Sequence, residues 1–156
     1  MRCLLRCAPV LASAAAFVVP AVAAPSTPVA GAIVPTSLML TANTAGTNVL
    51  FEGSGRHAWS GSMTGTDTVD VHFVIHGGRT ATYQGFVTYT GTTPCGAGTV
   101  RFEAEGSGAF PGPVYGHATT VEQADATIAM HADLDTVLFL TPAGAVLTYT
   151  GDVRCG

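Results

Sequence analysis

Residues 69–76, VDVHFVIH, alternate strictly: Val69, Val71, Phe73 and Ile75 fall on one face, and Asp70, His72, Val74 and His76 on the other. A period of two sustained over this length is that of a half-buried β-strand, and a helix would scatter the same apolar residues around its axis. The segment ends in His76-Gly77-Gly78-Arg79, a hairpin turn, and residues 81–90 continue beyond it with Tyr83, Val87 and Tyr89 on one face. In Thr99–Glu105, Val100 and Phe102 point inward and Arg101, Glu103 and Glu105 outward. Further strands are expected at 37–41, 47–53, 57–64, 115–121, 126–132, 136–141 and 145–153. Capped helical periodicity is missing, and only residues 121–135 leave room for a short helix. Short strands punctuated by Gly, Pro and Asn give an all-β class, either an antiparallel β-barrel or a β-sandwich.

The N-terminus carries a second constraint. Arg2 and Arg6 precede an apolar stretch, Ala8–Val19, and Ala-Val-Ala at 21–23 offers a small-x-small cleavage pattern. These are the parts of a secretory signal peptide, and the apolar run falls short of the roughly 20 residues that a membrane-spanning helix needs. Cys7 precedes that run, whereas a lipid-modified cysteine follows it, so no lipoprotein is expected. Cleavage near Ala23 leaves an extracellular or cell-envelope chain. Residues 24–35, rich in Pro, Ala, Ser and Thr, read as a flexible leader, and residues 36–156 as a single β domain.

Cleavage also removes Cys3 and Cys7, leaving Cys95 and Cys155. Two cysteines in an exported chain most simply form one disulfide. Their contexts match: YTGTTPCG at 89–96 and YTGDVRCG at 149–156 agree at Tyr, Thr, Gly, Cys and Gly. Whether the match records an internal duplication or two similar strand ends, it places neighbouring strand termini at Cys95 and Cys155. Neither cysteine has a CxxC partner or a local histidine, so a zinc site is not indicated.

The exported part contains no lysine and only Arg56, Arg79, Arg101 and Arg154, against ten carboxylates. No basic face is available to neutralise phosphates, which argues against nucleic acid as a partner and against stable association with an anionic membrane.

The succession from Trp59 through Gly108 resembles small exported bacterial proteins related to the allene-oxide-cyclase-like β-barrel. The resemblance covers about residues 57–108. It is carried by Gly85, Tyr89, Gly91, Cys95, Gly96, Gly98, Thr99 and Val100. It implies an eight-stranded barrel around a cavity; it implies no activity, and no cyclase residue carries over.

Five histidines, His57, His72, His76, His117 and His131, are the most suggestive polar set. Asp70, His72, His76 and His131 form a candidate polar site, but His72 and His76 are about 13 Å apart along a strand, so any shared site needs residues from another strand. Ser54, Ser60 and Ser62 lie near His57, with no carboxylate in a recognisable order to orient it. Glu103 and Glu105 share a face with Arg101 and read as a charged exterior. Trp59, Phe73, Tyr83, Tyr89, Phe102 and Tyr149 are candidate lining for a lumen wide enough to hold one small apolar ligand. No catalytic residue, metal or cofactor is assigned. The expected function is that of a secreted non-catalytic module binding a small apolar ligand or another exported protein. The alternative is an extracellular cyclase-like or metal-assisted enzyme using the strand-face histidines.

Overall fold

The computed structural model describes residues 24–141 and 144–156; the signal-peptide reading at 1–23 lies outside them. Eight antiparallel strands follow one another: β1 (Ser26–Ala45), β2 (Asn48–Gly61), β3 (Thr64–His76), β4 (Thr80–Thr93), β5 (Gly96–Ala109), β6 (Pro113–Val121), β7 (Met130–Thr141) and β8 (Gly144–Cys155). Each pairs with the next, and β8 returns to β1, so the sheet closes into a barrel rather than splitting into a sandwich. Closure leaves no long free edge except where a strand outruns its neighbour.

β1 does so. It pairs with β8 only from Ser26↔Arg154 to Ile33↔Leu147, and beyond that with β2 alone. Residues 26–35, read from composition as a flexible leader, are therefore the first half of β1. Val29 and Ile33 are buried in the core, and this alternation fixes the segment in the sheet despite its prolines. An extra residue, Thr36, interrupts the β1–β2 register between Pro35 and Ser37. The inward set thereby shifts from odd positions (Ile33, Pro35) to even ones (Leu38, Leu40), all four of which line the interior. Pro35 stands beside this bulge and past the last β1–β8 pair, where a residue without an N–H is tolerated.

Two other expectations are corrected. Residues 47–53 and 57–64 are not separate strands, because β2 runs unbroken through Gly53 and Gly55. Residues 121–135 hold no helix: 122–129 form an irregular loop and β7 begins at Met130. This loop continues the wall where β6 ends, with Thr127 N–H donating to Thr99 O at 2.9 Å and Thr99 N–H donating to Thr127 Oγ1 at 2.8 Å.

The two ends of the barrel differ. The β2–β3 and β4–β5 turns, the 122–129 loop and the C-terminus share one end, where Met63, Ile128 and Met130 are buried with Val153 and packed by Cys95. Cys95, in the β4–β5 turn, is bonded to Cys155 at the end of β8, with Cα atoms 5.3 Å apart. β4 and β8 are four strands apart in a ring of eight, so the disulfide ties opposite walls across this end and helps to seal it. The other end bears the β1–β2, β3–β4 and β5–β6 turns and holds a smaller buried cluster, Ala81, Val114 and Leu138, packed by Phe110.

A candidate ligand-binding lumen with a buried His–Asp pair

Above the sealed floor lies a cavity of about 440 Å³. Its wall is largely apolar: Ile33, Leu38, Leu40, Phe51, Val69, Val71, Phe73, Ile75, Phe110, Leu138 and Leu147 are all part of it. Leu38 and Leu40 also remain 46% and 40% exposed, which places an opening to solvent beside the upper half of β1. The floor is aromatic. Trp59 stacks on Phe102 at 5.9 Å between ring centroids, and Tyr89 and Tyr149 pack against its indole. Of the six aromatics expected to line a lumen, Trp59, Phe73, Tyr83 and Phe102 do so. Tyr89 and Tyr149 lie beneath them, fully buried in the floor.

Two polar groups interrupt the apolar wall. The first joins β2 to β3. His57 and Asp67 are register partners, both turned inward, and the Asp67 side chain is 1% exposed. Its Oδ1 accepts from the backbone N–H of His57 at 2.9 Å and from His57 Nδ1 at 2.8 Å, while Oδ2 accepts from Trp59 Nε1 at 2.7 Å. A carboxylate taken out of water is tolerated only when its lone pairs are occupied in this way. The second group is Tyr83, whose hydroxyl shares a 2.7 Å hydrogen bond with Thr136 Oγ1 across the barrel. Burial raises the Tyr83 pKa; the Thr136 hydrogen bond opposes this, and nearby Glu105 adds to it. The phenol is therefore neutral and can donate or accept. Its ring lies over Gly106 and Gly116, where a Cβ would collide with it.

The residues marked in the sequence as a candidate polar site are not brought together. Asp70 and His72 stand on the outer face of β3, with His72 Nδ1 3.1 Å from Glu52 Oε1, and His76 Nε2 meets Thr82 Oγ1 at 3.0 Å. His131 is on the outside of β7, four strands away around the ring. His117, also outside, sits between Asp133 and Asp135 at 3.1 and 3.6 Å. Among the described residues no three His, Cys, Asp or Glu side chains converge as metal ligands would. The arrangement missed by the sequence reading is His57 with Asp67. Counting back two residues from Val69 puts Asp67 on the apolar face of β3, and a carboxylate there is the signal that could have exposed it.

No family model and no curated protein matches this chain.

Proposed function

We propose that the protein is an exported, non-catalytic carrier or receptor for one small, mainly apolar molecule held in the lumen, built on a barrel of the allene-oxide-cyclase-like kind. The observation that carries this reading is the cavity itself: a space of about 440 Å³, walled by aliphatic and aromatic side chains, closed at the disulfide end and reached by solvent beside Leu38 and Leu40. Pockets of this size, mostly apolar with a few fixed polar groups, suit drug-sized guests. The sided distribution of polarity agrees with an aqueous setting. Asp70, His72, Glu103, Glu105, Asp133 and Arg154 alternate with the inward apolar residues, whereas a membrane-embedded barrel turns its apolar residues outward. Secretion is supported by the leader sequence and by a disulfide between the two remaining cysteines. The dispersal of Asp70, His72, His76 and His131 over the exterior weighs against the enzyme alternative.

Trp59 is the only tryptophan and lines the cavity, so the molecule contains its own reporter. N-phenyl-1-naphthylamine, a neutral apolar fluorophore, is expected to brighten on binding in a saturable, one-to-one manner and to quench Trp59. Native mass spectrometry of the secreted protein should show a single retained small molecule that displaces the dye. Absence of saturable dye uptake, together with a ligand-free mass spectrum, would overturn the proposal.

A further inference from the structure

We infer that the guest is a neutral, hydroxyl-bearing molecule, an alcohol or phenol, and that His57 Nε2 is the acceptor for its hydroxyl proton. The inference rests on the lumen being the binding site and specifies its chemistry.

Three observations lead to it. First, Asp67 determines which way the imidazole is used. Nδ1 faces Oδ1 at 2.8 Å and Oδ2 at 3.1 Å, and two carboxylate oxygens can only accept, so Nδ1 carries the proton. In the neutral ring Nε2 then presents a lone pair. Second, that lone pair is unused among the described residues. His57 borders the cavity, and among the described residues Nε2 has no hydrogen-bond partner. An acceptor facing an apolar space is complementary to a guest that brings a donor.

Third, the lumen discriminates by charge. Asp67 places a fixed carboxylate against the cavity, and among the described residues no arginine or lysine lines it. A carboxylate or phosphate guest would lose its hydration and gain no compensating cation in a poorly screened interior. A neutral hydroxyl meets no such penalty. Phe51, Phe73 and Phe110 line the remaining wall, with Phe51 and Phe73 6.2 Å apart and tilted at 60°, an arrangement that receives the edge or face of a flat ring. Asp67 thus acts as a positioning residue for His57, and the hydroxyl pair Tyr83–Thr136 offers a second polar station further along the wall.

The test compares three probes of one shape, 2-naphthol, 2-methylnaphthalene and 2-naphthoate, by equilibrium dialysis against the exported protein at neutral pH. We expect 2-naphthol to bind about tenfold more tightly than 2-methylnaphthalene, the worth of one buried hydrogen bond, and 2-naphthoate to bind more weakly than either. In His57→Phe the naphthol preference over 2-methylnaphthalene should vanish, and retained saturable uptake of 2-methylnaphthalene, at whatever affinity, reports that the variant is folded. His57→Gln, whose amide oxygen can still accept, should retain part of the preference. Equal affinity for naphthol and methylnaphthalene in the unaltered protein, a preference that survives His57→Phe, or tight naphthoate binding would each overturn the inference while leaving the lumen intact as a site. Failure of all three probes and of N-phenyl-1-naphthylamine to bind would instead overturn the reading of the lumen.

Discussion

Tyr89 and Tyr149, the first residues of the two matching octets, close on the same indole from different strands. Their ring centroids lie 5.2 and 5.1 Å from that of Trp59. Both hydroxyls then reach the β2–β3 connection. The Tyr89 hydroxyl lies 2.9 Å from Thr64 O and 2.8 Å from Thr92 O, its one proton shared between these acceptors, and Tyr149 Oη accepts from Met63 N–H at 3.0 Å. The octets are thus alike in role as well as in letters: each sends a tyrosine under the lumen and a cysteine to the disulfide.

Gly31 faces Tyr149, and a Cβ there would collide with Ser60 O and stand 2.5 Å from the tyrosine hydroxyl. Gly31→Ala should therefore destabilise the fold by about 1–3 kcal/mol, the usual cost of overpacking. Tyr149→Phe should cost about 1–2 kcal/mol, because the buried Met63 N–H is left without its acceptor. Urea unfolding followed by Trp59 fluorescence measures both; a midpoint unchanged in either variant would contradict the assigned packing.

The disulfide spans a sequence separation of 60. In the chain-entropy account a loop of that length stabilises by roughly 4 kcal/mol. Reduction, or the Cys95→Ser/Cys155→Ser pair, should lower the melting temperature by about 10 °C or more in a domain of this size. A calorimetric scan with and without reductant decides the matter, and thiols open to alkylation in the untreated protein would refute the bridge.

Three tyrosines are harder to ionise in the folded chain than in water. Burial pushes Tyr89 up to about 12, with a smaller push from neighbouring Tyr149, and burial likewise raises Tyr149 and Tyr83. A folded-state pKa above the unfolded value gives stability that is fully present below the unfolded value, near 10, and is lost as pH climbs toward the folded one. Stability should accordingly fall between about pH 10 and 12. Absorbance at 295 nm should show ionisation coupled to loss of the near-ultraviolet dichroism. Three freely titrating buried phenols in a still-folded protein would be the contrary result.

Asp67→Ala should be among the most damaging single changes in the wall, at about 3 kcal/mol or more. It strands the His57 N–H, the His57 ring and the Trp59 indole N–H together. Asp67→Asn keeps two acceptor positions on one oxygen and should cost less. Chemical denaturation of both variants gives the comparison, and equal losses would deny the carboxylate its role as common acceptor.

The sheet was legible wherever alternation ran without interruption, as at Val69–Ile75 and Val100–Glu105, because a period of two admits one reading. It was illegible at β1 for two physical reasons. The bulge at Thr36 moves the inward set from odd to even positions, and prolines suggested a loop where a bulge and a missing neighbour accommodate Pro35. The lumen's aromatics could be named because their face was known. Which of them line the space and which lie beneath it depends on their height along the barrel, a property no local pattern encodes. His57 and Asp67 escaped notice because their meeting is a matter of register. Ten residues separate them, and only the turn at Ser62–Met63 decides that they stand opposite one another. His72 and His76 drew attention by their spacing, yet their strand face is the outer one.

Past the pair Ile33↔Leu147, the β1–β2 hairpin is attached to the rest of the molecule along β2 alone. Swinging that flap outward breaks no ladder bond to β8, while the opposite end is riveted by sulfur and cannot splay. The protein is in effect a cup whose lip, beside Leu38 and Leu40, is held along a single seam, and the proposed guest would pass there, away from the riveted base.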